Sequence, residues 1–251
     1  MRGKIVKKLL IFDFDGVIIN SMNECLLTSY NAFHKFENTG ATLAVELSDI
    51  SPSHQQFFYL NRKYIRPAGE YYLIHRAYAD KIKISNSKSY HELLILHKDK
   101  LPHYQKEFFN ERNRLRLLNK NKWLRFHSVY NNLAECWNIL SRIFDIYIVS
   151  NKDKVSIILL MNHFNLSINE DQIFGAENGN DKSIIITNII GSTSAELENV
   201  YFIDDNLENL KSVKDLNIKL YHAKWGYGNT EGNDDSAIEE IYPDDILQRL
   251  K

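Results

Sequence analysis

Apolar residues in this chain gather in short continuous runs, separated by stretches with helical spacing. Four runs carry the strand signal: KKLLIFDFD, FDIYIVSN, NVYFIDD and IKLYHAKW. Their interiors are nearly all hydrophobic, the pattern of parallel strands covered by helices on both faces. Helices are predicted after them at 23–36, 153–162 and 207–216. Strand alternating with helix predicts an α/β fold, a doubly wound and mostly parallel Rossmann-like sheet.

The alternation stops between the first predicted helix and FDIYIVSN. That interval is far too long for a bare loop. It holds helical stretches such as HQQFFYLNRKYI and YQKEFFNERNRLRLLNKNKWL, punctuated by Pro52, Pro67 and Pro102. It reads as an inserted, mainly helical domain at 38–125, within a core formed by 1–37 and 126–251. NLAECWNILSRI then leads back into the sheet.

The first run is interrupted by two acids, Asp13 and Asp15. Carboxylates this close repel each other and resist desolvation. They also end the only signal-like stretch, MRGKIVKKLLIF, and no small-residue cleavage site follows, so export is rejected. No apolar run approaches a membrane span. Cys25 and Cys136 have no metal or redox spacing and are expected to be reduced thiols in a cytoplasmic protein. The nine histidines are scattered and read as structural or surface residues.

Charge adds a second asymmetry. The chain is nearly neutral at −1, but 51–125 holds 16 Lys+Arg against 6 Asp+Glu, and the remainder is −11. A solvated basic helical surface explains this, as does an anionic ligand or partner.

In open α/β sheets ligands bind beyond the carboxyl ends of the strands. Four such places carry reactive groups, in the order Asp13-Phe14-Asp15-Gly16-Val17, Ser150-Asn151, Lys182 in FGAENGNDK, and Asp204-Asp205. This order resembles the haloacid dehalogenase (HAD) superfamily, whose motifs are DxDG[TV], a strand ending in Ser/Thr, a Lys at a helix start and a strand ending in GD or DD. The resemblance covers the sheet domain, and KWGYG at 224–228 is similar to the segment after the last motif in phosphoglycolate-phosphatase-like members.

The resemblance implies Asp13 as nucleophile and Asp15 as the acid/base that protonates the leaving group and then activates water. Phe14 between them should point to the core, and Gly16 should permit the sharp turn at the ligand. Ser150 and Asn151 would hydrogen-bond phosphoryl oxygens. Lys182 would neutralise charge, with Lys152 and Lys154 as alternatives. The implied cofactor is Mg²⁺, surrounded by Asp13, the Asp15 backbone carbonyl, Asp205 as first-choice direct ligand, and Asp204 directly or through water. A glycine is commoner at 204, and the usual acid four residues after 205 is replaced by Asn209, with Glu208 beside it.

An acid at Asp15 favours phosphate esters, whose leaving group needs a proton. The insertion point matches a helical cap that closes over the site and contacts substrate. Arg62 and Arg66, in LNRKYIRPAGEYYLIHR, are the candidate substrate contacts there. The expected function is a Mg²⁺-dependent phosphatase of a small phosphorylated metabolite, acting through an aspartyl-phosphate. The alternatives are a phosphomutase of the β-phosphoglucomutase type, and a protein whose basic cap binds nucleic acid or an acidic partner.

Overall fold

The computed structural model of the protein describes residues 8–193, 195–228 and 235–250. Residues 1–7 of the signal-like stretch, with Arg2, Lys4 and Lys7, lie outside these. The chain divides into two compact units, Met1–Asn20 with Val129–Lys251, and Ser21–Ser128. No helix among the described residues is long and apolar enough to cross a membrane.

The unit Ser21–Ser128 contains α1 (Met22–Phe36), α2 (Pro52–Asn61), α3 (Tyr71–Ala79), α4 (Ser87–His97), α5 (Leu101–Leu118) and α6 (Lys120–Leu124). Their starts follow local chemistry. The Ser51 hydroxyl accepts from the His54 N–H, and Pro52 sits where no amide donor is needed. The Asn86 side chain accepts from the Ser89 N–H, while Ser89 Oγ accepts from the Asn86 N–H. Asn119 caps α6 through Lys122 N–H.

Aromatic rings dominate this unit's core. Tyr71 stacks between Phe58 and Phe108 at centroid distances of 5.7 and 5.1 Å. Leu26, Phe33, Tyr72 and Tyr104 complete the same buried cluster. Because α1 lays its apolar face on α5, it belongs to the helical unit. The boundaries therefore fall at 20/21 and 128/129 rather than at 37/38 and 125/126.

A polar chain crosses that core. Ser29 Oγ donates to the Cys25 carbonyl at 2.6 Å, so it accepts from His75 Nε2 at 2.8 Å. In a neutral His75 ring Nδ1 is then the bare nitrogen, able to accept from His54 Nε2 2.9 Å away. Burial lowers the pKa of both rings, which favours their neutral forms.

The other unit carries the sheet: β1 (Leu9–Phe12), β4 (Asp145–Val149), β5 (Ile173–Phe174), β6 (Val200–Asp204), β7 (Lys219–Ala223) and β8 (Ile238–Ile241). Two two-residue strands, β2 (Ile19–Asn20) and β3 (Ser128–Val129), lie outside it. The order is β5-β4-β1-β6-β7-β8 and every pairing is parallel. The helices are α7 (Asn131–Ile143), α8 (Lys154–His163), α9 (Lys182–Thr193), α10 (Leu207–Ser212) and α11 (Ile246–Arg249).

β1 is central, and its side chains alternate between two apolar layers. Leu9 and Ile11 join Ile185, Ile189 and Leu210 on one face, and Phe12 meets Trp137 on the other. All four β1 residues are fully buried, as a strand covered on both faces requires. β1 and β6 run in register, Phe12 beside Ile203, so Asp13 and Asp204 leave the sheet at the same level.

Candidate active site

The Asp13 N–H donates to the Ile203 carbonyl at 2.9 Å, extending the β1–β6 ladder one residue past β1. The carboxylate is thus delivered at the carboxyl end of the sheet. Phe14 turns into the core with no exposure, and its carbonyl accepts from the Ile18 and Ile19 N–H groups. This closes a tight loop that places Asp15 beside Asp13. Gly16 has φ +93°, and a Cβ there would overlap the Asp205 carboxylate. Only glycine serves at this position.

Lys182, the first residue of α9, is 4% exposed. Its Nζ donates to Asp13 Oδ1 at 2.8 Å and to Asp204 Oδ2 at 2.7 Å. Burial alone would lower the pKa of this ammonium, but Asp13 and Asp204 hold it up at about 12. Burial pushes the Asp13 carboxyl up to about 6; Lys182 opposes the rise and Asp204 adds to it.

The two acids at the end of β6 have different surroundings. Asp204 is fully buried and accepts from Lys182, from the Asn206 N–H at 2.8 Å, and from Asn209 Nδ2 at 3.0 and 3.3 Å. Those donors occupy both of its oxygens. Asp205 Oδ2 accepts from the Tyr227 N–H at 2.9 Å, and its carbonyl accepts from His222 Nε2 at 3.0 Å. The two neighbouring carboxylates are thus held by different sets of donors.

Asp13, Asp204 and Asp205 bring carboxylate oxygens within 4.8 Å of one another, all buried. Lys182 pairs with two of these three carboxylates, Asp13 and Asp204. A donor set of oxygens alone, without His or Cys, fits a hard divalent cation of the Mg²⁺ type.

Ser150 follows β4, and its N–H donates to the Phe174 carbonyl at 2.9 Å. It stands at the same sheet end, with Asn151 next to it. Asp13, Asp15, Gly16, Ser150, Asn151, Asp204 and Asp205 are therefore all at the carboxyl ends of the strands or in the loops that follow them, and Lys182 joins them from the first residue of α9. Arg62 and Arg66 belong to the helical unit. Arg62 is 8% exposed, lies over the Tyr71 ring at 5.1 Å and donates to the Ile65 carbonyl at 3.1 Å. Its guanidinium packs inside its own unit. Arg66 is exposed, and its backbone N–H donates to Glu70 Oε2.

Three features exceed the sequence reading. Lys152, considered only as a substitute for Lys182, is buried with its Nζ 3.2 Å from Asp15 Oδ1. Asn209 takes up the Asp204 carboxylate as an amide donor. The WGYG loop, read only as a likeness, encloses Asp205: a Cβ on Gly226 would overlap the Asp205 side chain, and one on Gly228 its carbonyl. Trp225 Nε1 donates to the Val17 carbonyl at 2.9 Å, tying that loop to the one after β1.

No family model matches the chain, and no match was found among curated proteins. Solved structures do match over nearly their whole length. A predicted phosphoglycolate phosphatase from Haemophilus somnus shares 14% identity at a TM-score of 0.65, covering 98% of each chain. A predicted phosphatase from Clostridium acetobutylicum shares 16% at 0.63, again over 98% of each. A HAD-superfamily hydrolase of subfamily IA from Geobacter sulfurreducens shares 12% at 0.58, over 100% of each. The chain has the HAD fold. At these identities the likeness is one of fold, and the chemistry of this HAD-fold site rests on its own residues.

Proposed function

We propose that this HAD-fold protein is a phosphatase that hydrolyses the phosphate monoester of a small metabolite through an aspartyl-phosphate on Asp13. One observation carries the reading: the buried Asp13 carboxylate is held by Lys182 at the end of the central strand, with a second acid, Asp15, in the same loop. An acid held by a single lysine needs no partner acid two residues on; a two-step phosphoryl transfer does.

In the first step an Asp13 oxygen attacks phosphorus, the bond to the leaving oxygen breaks, and Asp15 gives that oxygen its proton. In the second, Asp15 takes a proton from water as the water oxygen attacks the same phosphorus, releasing phosphate and restoring the Asp13 carboxylate. Lys182 keeps Asp13 aimed and offsets its charge, and the Ser150 hydroxyl and Asn151 amide donate to phosphoryl oxygens. A Mg²⁺-type cation held by Asp13 and Asp205, with the Asp15 carbonyl and Asp204 in support, would supply further charge neutralisation for the phosphoryl group.

The test is phosphate release from 4-nitrophenyl phosphate and from a panel of phosphorylated metabolites. Asp13→Asn should lower turnover by about 10³-fold or more with an unchanged circular dichroism spectrum. Wild-type turnover in that variant would remove Asp13 as nucleophile. A sugar-phosphate isomer formed without released phosphate would make the protein a mutase instead.

A further inference from the structure

Lys152 has no part in the scheme above, yet it is 1% exposed and its ammonium lies inside the sheet unit's polar site. Burying an ammonium is costly unless an acid partners it closely. Asp15 does so, with oxygens 3.2 and 3.4 Å from Nζ. The two lysines divide the site between them: Lys182 reaches Asp13 and Asp204, and Lys152 reaches Asp15.

The lysine stem springs from a rigid turn. The Lys152 N–H donates to Ser150 Oγ at 3.3 Å, and its carbonyl accepts from the Ala176 N–H at 3.0 Å. A Cβ on Gly175 would stand 2.8 Å from that carbonyl and 2.6 Å from the Lys154 nitrogen, so the two loops are packed backbone to backbone. Asp153 then caps α8 by accepting from the Ser156 N–H at 2.9 Å. An ammonium on such a base is a fixed point against which Asp15, at the tip of its own loop, is oriented.

We propose that Lys152 is a positioning residue for proton transfer: it holds the Asp15 carboxyl group in the orientation from which it serves the leaving oxygen and then water. This rests on the phosphatase reading and adds a specific consequence. Lys152 acts through Asp15, so its loss matters where the leaving group needs a proton and little where it does not. A lysine bound to the phosphoryl group itself would matter equally for both.

The experiment compares phenyl phosphate, a poor leaving group, with 4-nitrophenyl phosphate, a good one. The proteins are wild type, Lys152→Met, Lys152→Arg, Asp15→Asn and the double variant Asp15→Asn/Lys152→Met. Lys152→Met should lower kcat/KM about 30-fold or more on phenyl phosphate and about threefold or less on 4-nitrophenyl phosphate. Inhibition by inorganic phosphate should not change. Lys152→Arg should recover most of the loss, and Lys152→Met should cost nothing further in the Asp15→Asn background.

Equal losses on both substrates with weaker inhibition by phosphate, or additive losses in the double variant, would overturn the proposal. Should Lys152→Met fail to fold by thermal melting, Lys152→Gln carries the same comparison. A wild type that releases phosphate from neither compound removes the phosphatase reading, and the proposal with it. An active wild type whose variants lose activity without regard to leaving group removes the proposal alone.

Discussion

Asp205 is shaped by what Gly16 and Gly226 lack. A methyl group on either would occupy space taken by its side chain, and at Gly16 the backbone also has φ +93°. Asp205 cannot move aside cheaply, because Tyr227 N–H holds its carboxylate and His222 its carbonyl. Gly226→Ala should therefore cost about 1–3 kcal/mol of stability. It should also weaken Mg²⁺ binding measured by calorimetric titration, since the carboxylate must leave its place. Gly191, inside α9 with nothing within 4 Å of an added Cβ, is the control. Gly191→Ala should leave cation binding alone and stabilise the protein by up to about 1 kcal/mol. If both alanines weakened cation binding alike, Asp205 would not be the residue through which Gly226 acts.

Between elements of the helical unit, a buried ion pair joins α1 to α5. Glu24 of α1 accepts from Arg112 Nε at 2.8 Å and Nη2 at 2.9 Å of α5, and from the Thr28 hydroxyl at 2.8 Å. Both charged side chains are almost wholly buried. Removing one partner leaves the other charge stranded, so Arg112→Met should destabilise by about 3–5 kcal/mol in denaturant titration. The double variant Glu24→Leu/Arg112→Met should recover much of that loss. Equal losses in single and double variants would show that the pair does not couple α1 to α5.

These helices also show where sequence reading succeeds and fails. Runs such as LLIF and VYFI announce strands because both faces are covered, and acids at their ends announce a site because nothing apolar explains them. Placing α1 with the sheet followed chain order. The structure follows its buried face, where Leu26 and Phe33 meet the aromatic core of the helical unit. Strand β5 has only Ile173 and Phe174, too few residues for a periodicity. The basic composition of 51–125 was plain, but composition does not orient a side chain: Arg62 turned inward onto Tyr71. Lys152 escaped for the same reason, since nothing in SNK tells which carboxylate its stem reaches.

For the molecule as a whole, the two units differ in how the chain builds them. Ser21–Ser128 is one continuous segment with its own buried cluster and its own ion pairs, the properties of an independently folding domain. Made alone, it should give a helical circular dichroism spectrum and a cooperative thermal transition. The buried histidines then fix how that transition depends on pH. Burial lowers the His54 pKa to about 4, helped by His34, and holds His75 well below its ordinary value. In the unfolded chain both titrate near their usual value of about 6.5. The folded state thus binds fewer protons between those limits. The stability these rings contribute is complete above about pH 6.5 and is lost as pH falls towards 4, at up to about 1.4 kcal/mol per pH unit for each histidine. The rings face Ser29, Tyr30 and Phe33 of α1 and Tyr78 of α3, with no carboxylate among these contacts to reward a proton. Melting the segment between pH 7 and pH 5 should show the fall. The double variant His54→Gln/His75→Gln should flatten it even if its midpoint at pH 7 is lower, whereas an unchanged slope would place the acid sensitivity elsewhere in the unit.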